Sequence, residues 1–246
     1  MDTAQQLAPL EDACTIVLLR DGAAGLETLM LERPGNSRSF GGAWVFPGGK
    51  VDPGDRVNPA GEQLDEFAAA QAAGLRELAE ETGQQLSPKE LVWLSQWTPM
   101  QRIPRRFRTW FMLGAATTDQ VVLNPEEHER SSWLPAREAL ALHTAGKMIL
   151  VPPTWVTLHN LLGLESTEQA VEQSRKATPF IYNTHLLTPS NAEAASTLAG
   201  FGAGAAAGVL WDGDEEYPES KASAGARHRL TMTDLPWVFT HAHGTS

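Results

Sequence analysis

Residues 76 to 83 read RELAEETG. Within them Glu77, Glu80 and Glu81 stand one, three and four positions apart, and on a helix residues three and four apart share a face. Like charges so placed repel, and Arg76 is the only neighbouring cation to offset them. Two kinds of chemistry fit. The plainer is a solvated acidic helix face, the common meaning of a charge run. The other is a seat for a hard divalent cation, because Mg²⁺ takes carboxylate oxygens and water.

Residues 46 to 55, FPGGKVDPGD, place three glycines and two prolines ahead of that helix. Such a stretch makes a tight loop whose backbone can approach a ligand or ion closely. A Gly-rich loop followed by helical carboxylates can hold metal ions against phosphates. The combination resembles the Nudix hydrolase signature. Gly49 is followed after five residues by Asp55, and Arg76, Glu77, Leu78, Glu80, Glu81 and Gly83 fill the second half. Three departures stand out. Asp55 replaces a glutamate, shortening the side chain by one methylene. Gln84 occupies a hydrophobic position, with Leu86 as the candidate to take over its packing. Between Asp55 and Arg76 lie 20 residues instead of seven, an excess of 13 that is polar at first and then rich in alanine. Such a segment can precede or extend the helix without breaking it.

The resemblance implies metal-dependent cleavage of a diphosphate, with Mg²⁺ or Mn²⁺ held by Glu77, Glu80, Glu81 and the backbone carbonyl of Gly49. Arg76 would orient a carboxylate by bidentate contact. The general base stays open between Glu77 and a glutamate of NPEEHERSSWL, Glu126, Glu127 or Glu129, with Glu129 the candidate carried forward. Over residues 12 to 165 the chain is also similar to the coenzyme A diphosphatase-like branch, which has an enlarged Nudix box. Leu29, Arg33, Arg38, Gly42 and Phe46 to Gly49 fit that branch's element before the box, while Leu31 and Pro34 depart from it, and Arg108 stands where the branch has an acidic residue. This likeness implies hydrolysis of coenzyme A or an acyl derivative to 3′,5′-ADP and 4′-phosphopantetheine, with Arg33, Arg38 and Gly48 at the substrate. An ADP-ribose or dinucleotide pyrophosphatase is the alternative enzyme. A non-catalytic ligand sensor of the same fold is the alternative from another class, and retention of all three helix glutamates disfavours it. A small-molecule nucleoside diphosphate substrate is the expected partner, and a homodimer is left open.

The elements that must position these groups read as α/β. CTIVLLR and LETLMLER flank the turn DGAAG as a hairpin. AWVFPGG is a short strand running into a Pro-Gly-Gly turn. Leu64, Phe67, Ala68, Leu75, Leu78 and Ala79 recur at helical spacing, with Gly83 as the cap. LVWLSQW and RFRTWFMLGAA read as strands; PAREALALHTAG, PPTWVTLHNLLG and STEQAVEQSRKA read as helices, the last opened by a Ser166/Gln169 capping box. The expected fold is a Nudix-type α/β/α sandwich around a mixed β-sheet over 1–165, with a C-terminal helical extension over 166–246 packed on it.

Composition bounds the rest. With 42% hydrophobic residues in 246, the chain can bury a sizeable core, and a formal charge of −11 argues against nucleic acid. A single cysteine, Cys14, rules out an internal disulfide and suits a reducing compartment. No signal peptide or membrane segment is read at the N-terminus, and the terminal GTS is not a peroxisomal address, so a cytoplasmic site is expected. Arg102, Arg105, Arg106 and Arg108 form the one basic cluster, read either as a polyanion-attracting face or as plain exposure. His241 and His243 read as a mobile tail, and the eight tryptophans as core or interface.

Overall fold

Leucine-rich and β-branched runs set the centre of the sheet. Strands β1 (Leu10–Gly22) and β2 (Gly25–Glu32) pair antiparallel from Leu19↔Thr28 to Gly22↔Gly25, closing across Ala23 and Ala24. Gly25 has φ +103°, a conformation that favours glycine, so the tight turn is written into that residue. Burial along both strands is nearly unbroken rather than alternating, as expected of strands covered on both faces.

In the computed structural model the described residues are 8–37, 40–100, 103, 105–187 and 206–244. They fall into two compact units. The larger comprises Asp12–Gln96 and Thr109–Ile181. It contains β3 (Trp44–Val45), β4 (Gly48–Lys50), β7 (Arg130–Leu134), the helices α1 (Glu66–Thr82), α2 (Ala136–Thr144), α3 (Pro152–Asn160) and α4 (Thr167–Lys176), and parts of β5 (Val92–Pro99) and β6 (Arg106–Ala115). Its strands run β5-β6-β1-β2-β3, with β4 added to β1 and β7 to β2. The ladders of β1 with β2 and β4, and of β2 with β3 and β7, are antiparallel; the bridge Ala43↔Ile149 is parallel. The expected α/β architecture is what this unit has.

Helix α1 carries the acidic motif and packs on the sheet through small residues. Ala70 and Leu78 join Cys14, Ile16, Leu18, Leu29, Leu31, Trp110 and Met112 in one buried cluster. Asp65 caps the helix by accepting the Ala68 N–H at 2.7 Å, and Gly83, at φ +71°, ends it with its N–H on the Ala79 carbonyl. Ten of its residues, from Glu66, lie before Arg76, so the alanine-rich end of the added segment forms the first turns of this helix. The polar start of that segment folds back through the bridge Val57↔Gln63 and an Asn58-centred turn. Gln84 is 1% exposed and donates to the carbonyls of Thr118 and Gln120, while Leu86 packs on the core as expected. Cys14 is fully buried, which pushes its thiol up to about 12, so it acts as an apolar filler and not as a nucleophile.

The other unit, Met1–Glu11, Trp97–Arg108 and Tyr182–Ser246, corrects the expectation of a helical extension. Of the expected extension over 166–246, α4 is helical and belongs to the larger unit. Beyond it come β8 (Phe180–Leu187), β9 (Gly208–Leu210), β10 (Arg227–Thr231) and β11 (Val238–Ala242), paired antiparallel in the order β11-β10-β9-β8. The runs FIYNTHLL and VFTHA are aromatic and β-branched, a strand composition that the intervening Gly/Ala-rich stretch hides. Trp97 stacks on Tyr182 at 3.8 Å with Trp211 edge-on, making an aromatic core. Arg106 is buried, with its guanidinium on the carbonyls of Pro99 and Ala8, so it is neither a polyanion-attracting face nor exposed. Arg105 is exposed, and Arg102 lies outside the described residues. His241 belongs to β11 and stacks on His228 at 4.3 Å, which corrects its reading as a mobile tail. Among the described residues no helix is long and apolar enough to cross a membrane.

Gly74 lets α1 approach β1: a Cβ there would stand 2.5 Å from Cys14 Sγ and 3.0 Å from Ile16 Cδ1. Gly74→Ala gains helix propensity but overpacks the core, and it should destabilise by roughly 1–3 kcal/mol, read as a lower urea midpoint at unchanged m. An unchanged or higher midpoint would show that the helix has room to shift.

Candidate metal and diphosphate site

Two glycines bring backbone and carboxylates together. Gly48 has φ +152°, and a Cβ on it would strike the Cys14 carbonyl and stand 2.7 Å from Thr15 Cα. The turn therefore runs flush against β1. Its Gly48 N–H donates to Glu81 Oε2 at 2.9 Å. A Cβ on Gly49 would overlap the Glu77 carboxylate, so any side chain there would displace that carboxylate from the turn.

The helix glutamates share a face but not an environment. Glu81 is 5% exposed and held at both oxygens. Glu77 is half-buried, 3.1 Å from Arg76. Burial pushes its carboxyl up; Arg76 opposes that, and the charges of Glu81 and Glu80 add to it. Glu80 faces solvent and takes Arg76 Nη1 at 2.9 Å.

Arg76 is a clamp. Its Nε and Nη2 reach the two oxygens of Asp55 at 3.0 and 2.9 Å, and Nη2 also reaches the Lys50 carbonyl at 3.2 Å. Asp55 is 8% exposed and accepts the Asp52 N–H as well. Burial pushes the Asp55 carboxyl up, but its hydrogen bonds to Arg76 and Asp52 and the charges of Arg76 and Arg56 outweigh this and hold it below the usual carboxylate range. The aspartate in the glutamate position is thus long enough to close the pair.

A third segment comes from the loop after α1. Asn124 N–H donates to the Glu81 carbonyl at 3.1 Å, and His128 N–H donates to the Asn124 carbonyl at 3.1 Å. The loop folds back on the helix and seats His128 Nε2 on Glu81 Oε1 at 2.7 Å. Donor atoms of Glu81, Glu127 and His128 all lie within 4.8 Å of one another. Glu129 points elsewhere: its N–H is on the Glu32 carbonyl and its carboxylate accepts the Gly35 N–H at 3.1 Å. Sequence reasoning missed His128, for no spacing rule marks a histidine among loop glutamates; its only signal is its place in that acidic run.

Of the expected substrate contacts, Gly48 has its N–H committed to Glu81. Arg33 is half-buried, with its backbone bonded to Gly42 and Ala43 and its Nε buried without a hydrogen bond. Arg38 lies outside the described residues. A separate cavity of about 230 Å³, lined by Leu19, Glu27, Arg137 and Leu161 among others, contains none of the acidic motif.

The residues present fit a hard divalent cation. Glu77, Glu81 and Glu127 supply carboxylate oxygens, the donor type suited to Mg²⁺ or Mn²⁺.

Known proteins agree with this geometry. The NUDIX domain profile matches residues 9–151. The m7GpppN-mRNA hydrolase NUDT17 of Danio rerio is 36% identical over 140 residues, covering 51% of this chain and 42% of that protein. The chain thus spans less than half the length of that relative. A crystal structure of a NUDIX hydrolase from Alicyclobacillus acidocaldarius superposes with TM-score 0.57 at 25% identity, over 68% of this chain and 97% of the other. With more than half of the sequence matched, and the glycine turn facing the acidic helix inside the matched span, this chain belongs to the Nudix family.

Proposed function

We propose that the protein hydrolyses a diphosphate linkage in a nucleoside diphosphate derivative, with Mg²⁺ or Mn²⁺. The observation that carries this reading is the Gly48–Gly49 backbone lying directly against Glu81 and Glu77. Glu77, Glu81 and the Gly49 carbonyl would hold the metal, with Glu80 at its outer edge. When bound, such an ion offsets the charge of the diphosphate and lowers the pKa of a coordinated water. The chain's own part is to hold the carboxylates in place before substrate arrives. Arg76 fixes the turn to the helix through Asp55, and Glu127 is the loop carboxylate best placed to accept a proton from water. Glu129 is the second candidate for that role, and single Glu→Gln variants at both positions rank them.

For the substrate, coenzyme A remains the first reading, supported by Arg33 and by the spacing before FPGG. A capped-RNA dinucleotide is the second, favoured by what the Danio rerio relative is named for. Turnover of coenzyme A, dephospho-coenzyme A, ADP-ribose and m7GpppN with Mg²⁺ and Mn²⁺ discriminates them. Arg33→Ala should erase a preference for coenzyme A over its dephospho form if the guanidinium reads the 3′-phosphate. Equal loss on both would make Arg33 structural, and a tenfold preference for m7GpppN would replace the coenzyme A reading.

Glu81→Gln keeps shape and removes charge. It should lower kcat by about 10²-fold or more with the fold intact. Normal turnover in that variant would remove Glu81 from the metal site.

The Asp55–Arg76 clamp sets a pH dependence. A carboxyl lowered by folding stabilises the native state above its unfolded value near 3.9, and that contribution disappears as pH falls through the lower folded value. Wild-type Tm should therefore drop more between pH 6 and pH 3 than that of Asp55→Asn, measured by calorimetry. Parallel curves for the two proteins would mean that the clamp contributes no pH-dependent stability.

A further inference from the structure

We propose that His128 is a positioning residue for the proposed hydrolysis, holding Glu81 in the orientation that faces the Gly48–Gly49 turn. This rests on the catalytic reading above for its consequence, but on independent geometry for its substance.

A carboxylate only accepts, so the short contact from His128 Nε2 to Glu81 Oε1 at 2.7 Å requires Nε2 to carry the hydrogen. The other ring nitrogen, Nδ1, is buried and makes no hydrogen bond, so the ring has one polar engagement and it is Glu81. His128 is 4% exposed. A side chain buried to that degree does not reorient freely. Its backbone is fixed in turn, since its N–H is on the Asn124 carbonyl and the Asn124 N–H is on the Glu81 carbonyl. The loop is therefore tied to Glu81 twice, once through the main chain and once through the imidazole.

The two partners of Glu81 grip different oxygens. Gly48 N–H takes Oε2 and His128 takes Oε1, which fixes the plane of the carboxylate as well as its position. Each oxygen keeps a second lone pair free. Without His128, Glu81 would keep one partner and could swing about its terminal torsion, which is broad and soft. Groups that orient a metal-binding carboxylate in this way typically change metal affinity or activity by roughly 10- to 100-fold when removed. Glu127, next in the chain, is delivered to the same place by the same anchor.

The test uses the full-length protein and two variants. His128→Leu keeps apolar bulk but removes the donor; His128→Gln offers an amide N–H at similar reach. Mn²⁺ affinity is measured by calorimetry on protein alone, and kcat and KM on whichever diphosphate is turned over. Exchange of the Gly48 amide is followed by NMR without metal. The expected result is a roughly 10- to 100-fold weaker Mn²⁺ affinity and lower kcat in His128→Leu with KM nearly unchanged, faster Gly48 exchange, and recovery to within a few-fold in His128→Gln. Adding His128→Leu to Glu81→Gln should weaken Mn²⁺ no further. Wild-type Mn²⁺ affinity in folded His128→Leu would overturn the proposal, as would a folded His128→Gln as impaired as His128→Leu. If His128→Leu does not fold, His128→Gln decides alone: retained affinity supports the proposal and a loss of tenfold or more overturns it. If the wild type binds no Mn²⁺ and hydrolyses nothing, the catalytic reading fails. Gly48 exchange then judges His128 separately, since equal rates in wild type and folded His128→Leu would remove its hold on Glu81.

Discussion

Burying a carboxylate is the constraint on which this unit is organised. An ion taken out of water costs several kcal/mol unless hydrogen bonds or opposite charges replace the lost hydration. Glu81 is almost wholly enclosed, yet among the described residues no arginine or lysine pairs with it. Its compensation is a peptide N–H from one direction and an imidazole from the other. One peptide N–H and one ring N–H satisfy the oxygens, and each oxygen keeps a lone pair for an incoming cation. A guanidinium in the same place would have neutralised the site it was meant to support.

The arginine that is present sits one step away. Arg76 spends its fork on Asp55 and its remaining hydrogens on Glu80 and the Lys50 carbonyl. It fastens the segment after the glycine turn to the helix. Glu77 lies between the two, 3.1 Å from Arg76, its carboxyl pushed up first by burial, with the charge of Glu81 adding to it.

Much of this was legible in the sequence because the features are local. A glycine pair, an arginine and glutamates at helical spacing specify a backbone approach and a shared face with no tertiary information. The glycine that ends α1, Gly83, was equally readable, as was the substitution of Leu86 for Gln84 in packing. What was not legible depends on long-range placement. His128 lies 47 residues from Glu81, and nothing in its neighbours says which carboxylate it will meet. The strands after α4 were hidden for a different reason. Their alternation is short and interrupted by a Gly/Ala-rich stretch, so neither period accumulates enough residues to declare itself. Arg106 shows the same limit, for a basic residue beside other basic residues reads as surface until the carbonyls that bind it are seen.

The alanines and Gly74 on the inner side of α1 then take on a meaning beyond core packing. Ala69, Ala70, Ala73 and Gly74 are all buried, and Gly74 has no room for a methyl group against Cys14. Cys14 in turn pairs with Gly49 across β1 and β4. One line of close approach therefore runs from helix to strand to turn, and every member of it is small. Enlarging any of them would lift α1 away from the sheet and draw Glu77 and Glu81 back from the glycine backbone. The reach of a glutamate side chain is fixed, so the distance between helix axis and turn decides whether the carboxylates can meet that backbone at all. Small residues far from any reacting atom are in this sense part of the site's geometry, and the requirement explains why the inserted segment could turn alanine-rich and extend the helix without disturbing what lies at its C-terminal end.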